Sequence, residues 1–78
     1  METEHSWGEI KITLDQYMKE HHISRNSLSR DAQIQYTQLL SYCNNEVTRP
    51  DLGVLSRICK VLNCEIADLL VYIPPKKY

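Results

Sequence analysis

The spacing of apolar and small residues in the middle of this chain constrains its fold more than any other feature. If Arg25 is counted as the first position, such residues fill the fourth, fifth, eighth, tenth, fifteenth and eighteenth positions. They are Leu28, Ser29, Ala32, Ile34, Leu39 and Tyr42. Apolar side chains at this spacing hold two short helices at about 90–120° to each other, and a small fifth residue lets them cross closely. We therefore predict two short helices joined by a turn of about three residues.

A strand and a helix are predicted ahead of this pair. Residues 9–14 alternate polar and apolar side chains, which indicates a short strand. Thr13 and Gln16 have the spacing of a capping box, which predicts a helix that begins at Leu14 and ends near His22. Its inward residues should recur at the spacing i, i+3, i+4 and i+7: Leu14, Tyr17, Met18 and His21.

Capping residues define the later helices. Ser24 and Asp51 are good N-caps, whereas the Asn44-Asn45 pair and Asn63 can end a helix because asparagine tolerates the left-handed conformation. The predicted helices after the first are Arg25–Ala32, Gln35–Asn44, Leu52–Leu62 and a short fifth, Ile66–Leu70. Val71–Ile73 favours β structure. This segment and the strand near the N-terminus can pair with each other or across a dimer.

The predicted organisation is one compact, all-α, five-helix domain with short terminal β segments. The domain covers residues 9–73, with its helix-turn-helix unit at about 25–43, a flexible tail at 1–8 and another at 74–78. A chain of 78 residues holds one domain at most. The sequence contains no run of 18 apolar residues, so it predicts no membrane span. The acidic, polar start does not resemble a secretory signal.

Charge and cysteine content limit the function classes. Three cysteines, an odd number, favour reduced thiols in the cytosol over a disulfide framework. The net charge of −1 is unusual for a nucleic-acid binder, because phosphate contact dominates such affinity. Any DNA binding must therefore come from a local patch, and a protein-binding role becomes more plausible than usual.

The order of helices and three sequence stretches resemble the Cro and lambda-repressor type of helix-turn-helix domain, the XRE family of transcriptional regulators. The resemblance covers about residues 10–72. It includes Ile23-Ser24-Arg25 at the opening of the second helix, Arg49-Pro50-Asp51 in a loop, and the stretch from Leu55 to Leu70. It implies a lambda-repressor-like fold and a cytoplasmic regulator of bacterial or phage type. Such a protein would bind double-stranded DNA as a homodimer on a near-palindromic site.

The resemblance also implies which residues contact DNA. The third helix would lie in the major groove, and the base-contacting positions would be Gln35, Tyr36, Thr37, Gln38, Leu40 and Ser41. Their chemistry fits, because glutamine can bond adenine and threonine or leucine can contact a thymine methyl group. Phosphate contacts would come from Arg25, Asn26, Asn44, Asn45, Thr48 and Arg49. The dimer surface is expected at the fifth helix, Val71–Ile73 and Glu9–Ile12.

Two residues depart from the family pattern. The turn position that is usually glycine is Gln33, at a cost of about 1 kcal/mol if the backbone conformation is unchanged. Glu46 lies in a loop that often carries lysine or arginine. Both departures bear on the strength of DNA binding more than on the fold.

Other functions have weaker support. Cys59, Cys64, His21 and His22 lack zinc-ligand spacing, so buried structural cysteines are favoured over a metal or redox site. With two glycines, the chain has no nucleophile elbow and no Gly-rich phosphate loop, so we predict neither catalysis nor a cofactor. No small-molecule site is evident. The alternative is a protein-interaction module on the same scaffold, such as an antitoxin, anti-repressor or inhibitor domain, which an outward-facing Leu40 would favour.

Overall fold

The computed structural model describes residues 7–75. In chain order its elements are β1 (Glu9–Ile12), α1 (Leu14–Glu20), α2 (Arg25–Ala32), α3 (Tyr36–Cys43), α4 (Leu52–Leu62), a 3-10 helix (Ile66–Asp68) and β2 (Leu70–Ile73). Residues 1–6 and 76–78, which hold most of the two predicted tails, lie outside the described residues. Over the part that is described, no helix has the length and apolar character needed to cross a membrane.

The predicted fifth helix, Ile66–Leu70, is wrong, and so is the prediction of an all-α fold with five helices. A single 3-10 turn covers Ile66–Asp68, and the chain then enters β2. Leu69 is fully buried, and its carbonyl accepts a hydrogen bond from the Thr13 N–H at 2.7 Å. Pairing with the strand near the N-terminus therefore takes the backbone groups that a helix would have used.

The two terminal strands pair with each other in an antiparallel ribbon, which we call the β ribbon. The facing residues are Glu9 and Ile73, Ile10 and Tyr72, Lys11 and Val71, and Ile12 and Leu70. Ile12 is buried and Leu70 is half-buried against the core, whereas Ile10 and Tyr72 at the far end are exposed. The ribbon is thus anchored to the body at one end only.

Helix α1 begins at Leu14 as predicted, but it lacks the predicted cap and ends two residues before His22. Thr13 makes no capping bond, because its hydroxyl donates to the Asp68 carbonyl at 3.2 Å. Gln16 instead bonds Glu20 on the next turn. The helix stops at Glu20, and His21 stacks on Tyr17 at the surface with ring centroids 4.1 Å apart rather than pointing inward. The Thr13 hydroxyl therefore bonds the 3-10 helix, which is distant in sequence, instead of capping its own helix.

All four α-helices end in the same way. Each is followed by a residue other than glycine with positive φ: His22, Gln33, Asn45 and Asn63. In each case the next N–H bonds the carbonyl five residues back: Ile23 to Met18, Ile34 to Ser29, Glu46 to Ser41 and Cys64 to Cys59. This is the Schellman bond, which satisfies a carbonyl that the helix leaves free. The predicted stops at the Asn44-Asn45 pair and at Asn63 are confirmed, and within the pair it is Asn45 that takes the left-handed conformation.

The core draws one fully buried residue from each α-helix and one from the junction between the 3-10 helix and β2. These are Leu14, Leu28, Leu39, Ile58 and Leu69. Helix α4 begins where predicted, because an Asp51 carboxylate oxygen accepts from the N–H groups of Gly53 at 2.7 Å and Val54 at 3.2 Å. Helices α2 and α3 pack against each other, α4 packs against α2, and α1 packs against α3.

Candidate nucleic-acid interface

The helix-turn-helix unit forms as the central apolar spacing predicts. Ser24 caps α2 by accepting from the Ser27 N–H at 3.0 Å. Every apolar position of the predicted spacing is buried: Leu28, Ala32, Ile34, Leu39 and Tyr42. Gln33 turns the chain in the left-handed region at φ 57° and ψ 50°, so the turn has the usual shape with an unusual residue.

Two side-chain hydrogen bonds secure this turn. The Ser29 hydroxyl donates to the Ile34 carbonyl across the corner, so the small fifth residue is also a link between the helices. Arg57 on α4 donates through Nε to the Ala32 carbonyl at 2.9 Å. The Ala32 carbonyl is one of the last four of α2, which the helix leaves without a partner, and the Ile34 carbonyl belongs to the turn itself. The two bonds hold the corner in one conformation and so set the position of α3.

Buried residues fix one face of α3 and leave the other outward. Leu39, Tyr42 and Cys43 are buried. The Tyr42 hydroxyl also accepts from the Asp51 N–H at 2.9 Å, which ties α3 to the loop before α4. Because these contacts lie on one side of the helix, α3 has a defined rotation and a defined outer face.

The six predicted base-contacting residues lie at the outer face of α3, with different exposure. Gln35, Tyr36, Thr37 and Gln38 are exposed, whereas Leu40 and Ser41 are half-buried. Gln35 is the N-cap rather than part of the helix. No residue from Gln35 to Ser41 carries a charge. This face therefore offers amide, hydroxyl and apolar groups to a partner, and any positive charge must come from its surroundings.

The first predicted phosphate-contacting group lies at the start of α2. Arg25 is half-buried and forms an ion pair with Asp15 on α1 at 3.0 Å, while Lys19 contacts the other oxygen of Asp15 at 3.1 Å. The Arg25 guanidinium and then the Lys19 ammonium hold the pKa of Asp15 below its usual value. Asn26 beside them is exposed. Part of the positive charge at this edge is thus offset by a carboxylate.

The second predicted group lies at the end of α3 and in the loop after it. Asn44, Thr48 and Arg49 are exposed, and Arg49 forms no ion pair with any residue in the 7–75 range. Asn45 is exposed too, but its side-chain oxygen accepts from the Ile12 N–H at 2.8 Å. That oxygen therefore links α3 to the β ribbon. Glu46 is exposed in the same loop.

The cysteines belong to the packing of the domain. All three are free thiols, and the Cys43 thiol lies 3.9 Å from the Met18 sulfur in the core. Burial raises the pKa of Cys43, and burial together with the neighbouring Cys59 raises the pKa of Cys64 to about 11. Thiols with raised pKa values stay protonated and unreactive. Nowhere between residues 7 and 75 do three His, Cys, Asp or Glu side chains group as metal ligands.

Sequence reasoning missed three residues that shape this surface. Asp15 accepts a hydrogen bond from Arg25 at 3.0 Å and so positions it, a contact that the sequence analysis does not include. Lys19 lies four residues after Asp15, and this spacing in a helix predicts the ion pair between those two residues. The contacts of Arg57 with the turn and of Asn45 with β1 join elements distant in sequence, so no local pattern pointed to them.

Comparison with protein families gives a match over most of the chain. A family model described as a Cro/C1-type HTH DNA-binding domain matches residues 13–75. The matched range includes all four α-helices and β2, and it excludes β1. A search of curated proteins gave no match.

Proposed function

The chain belongs to the family of Cro/C1-type helix-turn-helix DNA-binding domains, and from that membership we propose that it is a transcriptional regulator that binds double-stranded DNA sequence-specifically. The supporting observation is the placement of Gln35–Gln38. These four residues are exposed at the start of α3, and Leu39 and Tyr42 are buried behind them. The proposal assigns the chain no catalytic role, and a cytoplasmic location goes with it.

In the proposed complex, α3 enters the major groove with its first turn against the base edges. Gln35 and Gln38 each carry an amide that can bond adenine at two points, and the Thr37 methyl group can contact thymine. Leu40 and Ser41 lie one turn later and reach the groove with their exposed atoms only. Sequence preference then rests on neutral hydrogen bonds and methyl contacts rather than on arginine–guanine pairs.

Phosphate contacts in this proposal come from both edges of α3. Arg25 and Asn26 lie at one edge, and Asn44, Thr48 and Arg49 at the other. With two arginines engaged in each copy, the logarithm of the binding constant should fall with the logarithm of salt concentration at a slope of roughly −2 for each bound copy. This shallow dependence distinguishes the proposed mode from binding by a broad basic surface.

We further propose that two copies bind a near-palindromic site together. A two-fold dimer places two recognition helices in successive major grooves about 34 Å apart. A dimer also doubles the number of phosphate contacts, which offsets the small number of cations in one copy. The near-neutral composition thus makes pairing more valuable here than in a basic family member.

Selection of bound sequences from random duplex DNA at stated salt tests the proposal. We expect one consensus to be enriched by the native chain. Thr37→Ala should relax the preference at one position, whereas Arg25→Ala should weaken binding to all sequences alike. Ser56→Ala and Lys60→Ala, at exposed positions on α4, are the matched controls and should change neither. If no sequence is enriched, the DNA-binding proposal is rejected.

A protein-interaction module on the same scaffold is the second candidate, in the form of an antitoxin, anti-repressor or inhibitor domain. Three observations favour it: the net charge of −1, the pairing of Arg25 with Asp15, and the partial exposure of Leu40. Failure to enrich any DNA sequence, combined with a folded chain, would favour this candidate over the first.

A further inference from the structure

A cavity of about 420 Å³ lies between the end of α2 and helix α4, beside the helix-turn-helix corner. This volume is in the range of small-molecule sites, about 300–1,000 Å³. Its lining residues include Asp31, Ala32, Gln33, Arg57, Lys60 and Val61. Because the two sides of the cavity come from stretches that are distant in sequence, no local pattern in the chain predicts it.

The guanidinium of Arg57 has a fixed orientation at this cavity. Its Nε donates to the Ala32 carbonyl at 2.9 Å, so one side of the guanidinium is held by the end of α2. The two terminal nitrogens keep their own N–H groups, and no carboxylate among residues 7–75 pairs with Arg57. Two adjacent N–H donors in one plane are the arrangement that binds a carboxylate at two points.

Lys60 adds a second positive charge to the cavity. It lies three residues after Arg57, and side chains at this spacing are neighbours on a helix surface. Lys60 is exposed and forms no ion pair with another residue in the described range. Among the lining residues Asp31 alone is acidic, and it already contacts Arg30 at 3.4 Å. The charge balance of the cavity therefore favours an anion.

Apolar groups line the rest of the cavity. Val61 is an apolar side chain that remains exposed on α4, and Ala32 lines the cavity from α2. The methylene stems of Arg57 and Lys60 are apolar as well. An inorganic anion would leave these groups in contact with water, whereas an organic anion would cover them and gain the free energy of their burial. The lining thus favours an anion that carries an apolar body.

We propose that this cavity binds a small organic carboxylate, with the charged group on Arg57 and Lys60 and the apolar body against Ala32 and Val61. The proposal does not depend on DNA binding. The bound carboxylate occupies the terminal nitrogens of Arg57, while Nε keeps its bond to the Ala32 carbonyl. The ligand and the corner between α2 and α3 therefore share one guanidinium. A ligand that binds this folded arrangement stabilises it by mass action.

Titration of the native chain with benzoate, followed by NMR, tests the site. We expect saturable shifts of the Ala32 and Gln33 amides and of the Arg57 Nε–H signal, together with a higher midpoint of thermal unfolding. Acetate and inorganic phosphate supply negative charge without an apolar body, and benzyl alcohol supplies the ring without charge. At constant ionic strength each of the three should bind more weakly than benzoate by about tenfold or more.

Three substitutions separate the contributions to binding. Lys60→Gln removes one charge and should weaken benzoate binding by about two- to fivefold. Val61→Ser removes an apolar contact and should weaken benzoate binding while leaving acetate binding unchanged. Arg57→Lys keeps the charge, loses the two-point contact and should abolish saturable binding. Lys11→Gln, at an exposed position on β1, is the matched control and should bind benzoate as the native chain does. Circular dichroism verifies that every variant is folded.

The absence of saturable shifts, or saturable shifts centred on residues outside the cavity, overturns the carboxylate site. Phosphate or acetate that binds as tightly as benzoate overturns it too, because the apolar lining would then contribute nothing. So does benzoate binding that is unchanged in folded Lys60→Gln and Val61→Ser. Selection from random duplex DNA is an independent measurement. A chain that binds benzoate at this cavity and enriches no DNA sequence keeps the carboxylate site and loses the DNA-binding proposal, and the converse result does the reverse.

Discussion

The outer face of α3 and the far end of the β ribbon are both exposed, yet they are held in different ways. Behind the α3 face, Leu39 and Tyr42 are buried and the Tyr42 hydroxyl bonds the next loop. The ribbon end, at Ile10 and Tyr72, extends past its last core contacts at Ile12 and Leu70. The outer face of α3 is polar and lies on a helix that is packed against the core. The far end of the ribbon is apolar, and only the other half of the ribbon contacts the core.

This difference teaches that exposure has different meanings at the two surfaces. Exposed amides and hydroxyls on α3 cost nothing in water and remain available for a polar partner. Exposed isoleucine and tyrosine on a strand stay unfavourably hydrated until something covers them. The polar face of α3 has no apolar surface of this kind to cover, whereas the far end of the ribbon keeps Ile10 and Tyr72 in contact with water.

The largest expected effect tests the rigid support of α3. Leu39→Ala removes a side chain that is fully buried and should lower the free energy of unfolding by about 2–5 kcal/mol, because it leaves a cavity. Ile10→Ala, on the exposed end of the ribbon, should lower it by less than about 1 kcal/mol. Urea denaturation of both variants, at a concentration where the native chain is a monomer, measures the difference. Equal losses would contradict the contrast between the two surfaces.

The next effect tests the link between the two surfaces. Asn45→Ala leaves the Ile12 N–H without its acceptor and puts alanine at φ 59°, so we expect a loss of about 1–3 kcal/mol. Asn44→Ala, at the neighbouring exposed position, is the matched control and should cost much less. Hydrogen exchange of the Ile12 amide should speed up in the first variant alone. Unchanged exchange there would show that the bond does not hold the ribbon.

A gain in stability is expected at the turn. Gln33→Gly relieves the left-handed strain at φ 57° and should raise the free energy of unfolding by up to about 1 kcal/mol. Asn63→Gly, at the end of α4, should gain less because asparagine already tolerates this conformation. Thermal unfolding of both variants gives the comparison. A destabilised Gln33→Gly would mean that the Gln33 side chain supports α3 by contacts of its own.

The smallest effect concerns pH. The pKa of Asp15 is lower in the folded chain than in the unfolded chain, so the ion pairs stabilise the fold above the unfolded value of about 3.9. This stabilisation is lost as the pH falls through the lower folded value. The free energy of unfolding of the native chain should therefore exceed that of Asp15→Asn by at most about 1 kcal/mol at neutral pH. Urea midpoints should converge near the acid limit, and a constant difference across pH would contradict the assignment.

Local sequence signals were sufficient for the helix-turn-helix unit. Helix α2 has the predicted bounds because Ser24 and the Gln33 turn act within a few residues of it, and α4 follows Asp51 for the same reason. The prediction of a fifth helix was wrong because Leu69 pairs with Thr13 from the other end of the domain. Hydrophobic periodicity depends on residues that are near each other in sequence, so it cannot predict a contact with a residue as distant as Thr13.

The candidate site divides in the same way. Exposure of Thr37 and its neighbours follows from their position between buried residues on one helix, so the sequence predicts it. The ion pair of Arg25 with Asp15 and the use of the Asn45 oxygen by Ile12 both join separate elements. These contacts decide how much charge and how many polar atoms remain for a ligand, and only the folded arrangement reveals them.

The bond from the Ile12 N–H to the Asn45 oxygen has a mechanical consequence. It connects strand β1 of the ribbon to Asn45, the second residue after the last turn of α3. A tilt of the ribbon therefore pulls on the carboxyl end of α3 through one short side chain. The angle at which the ribbon sits and the angle at which α3 leaves the body are adjusted together.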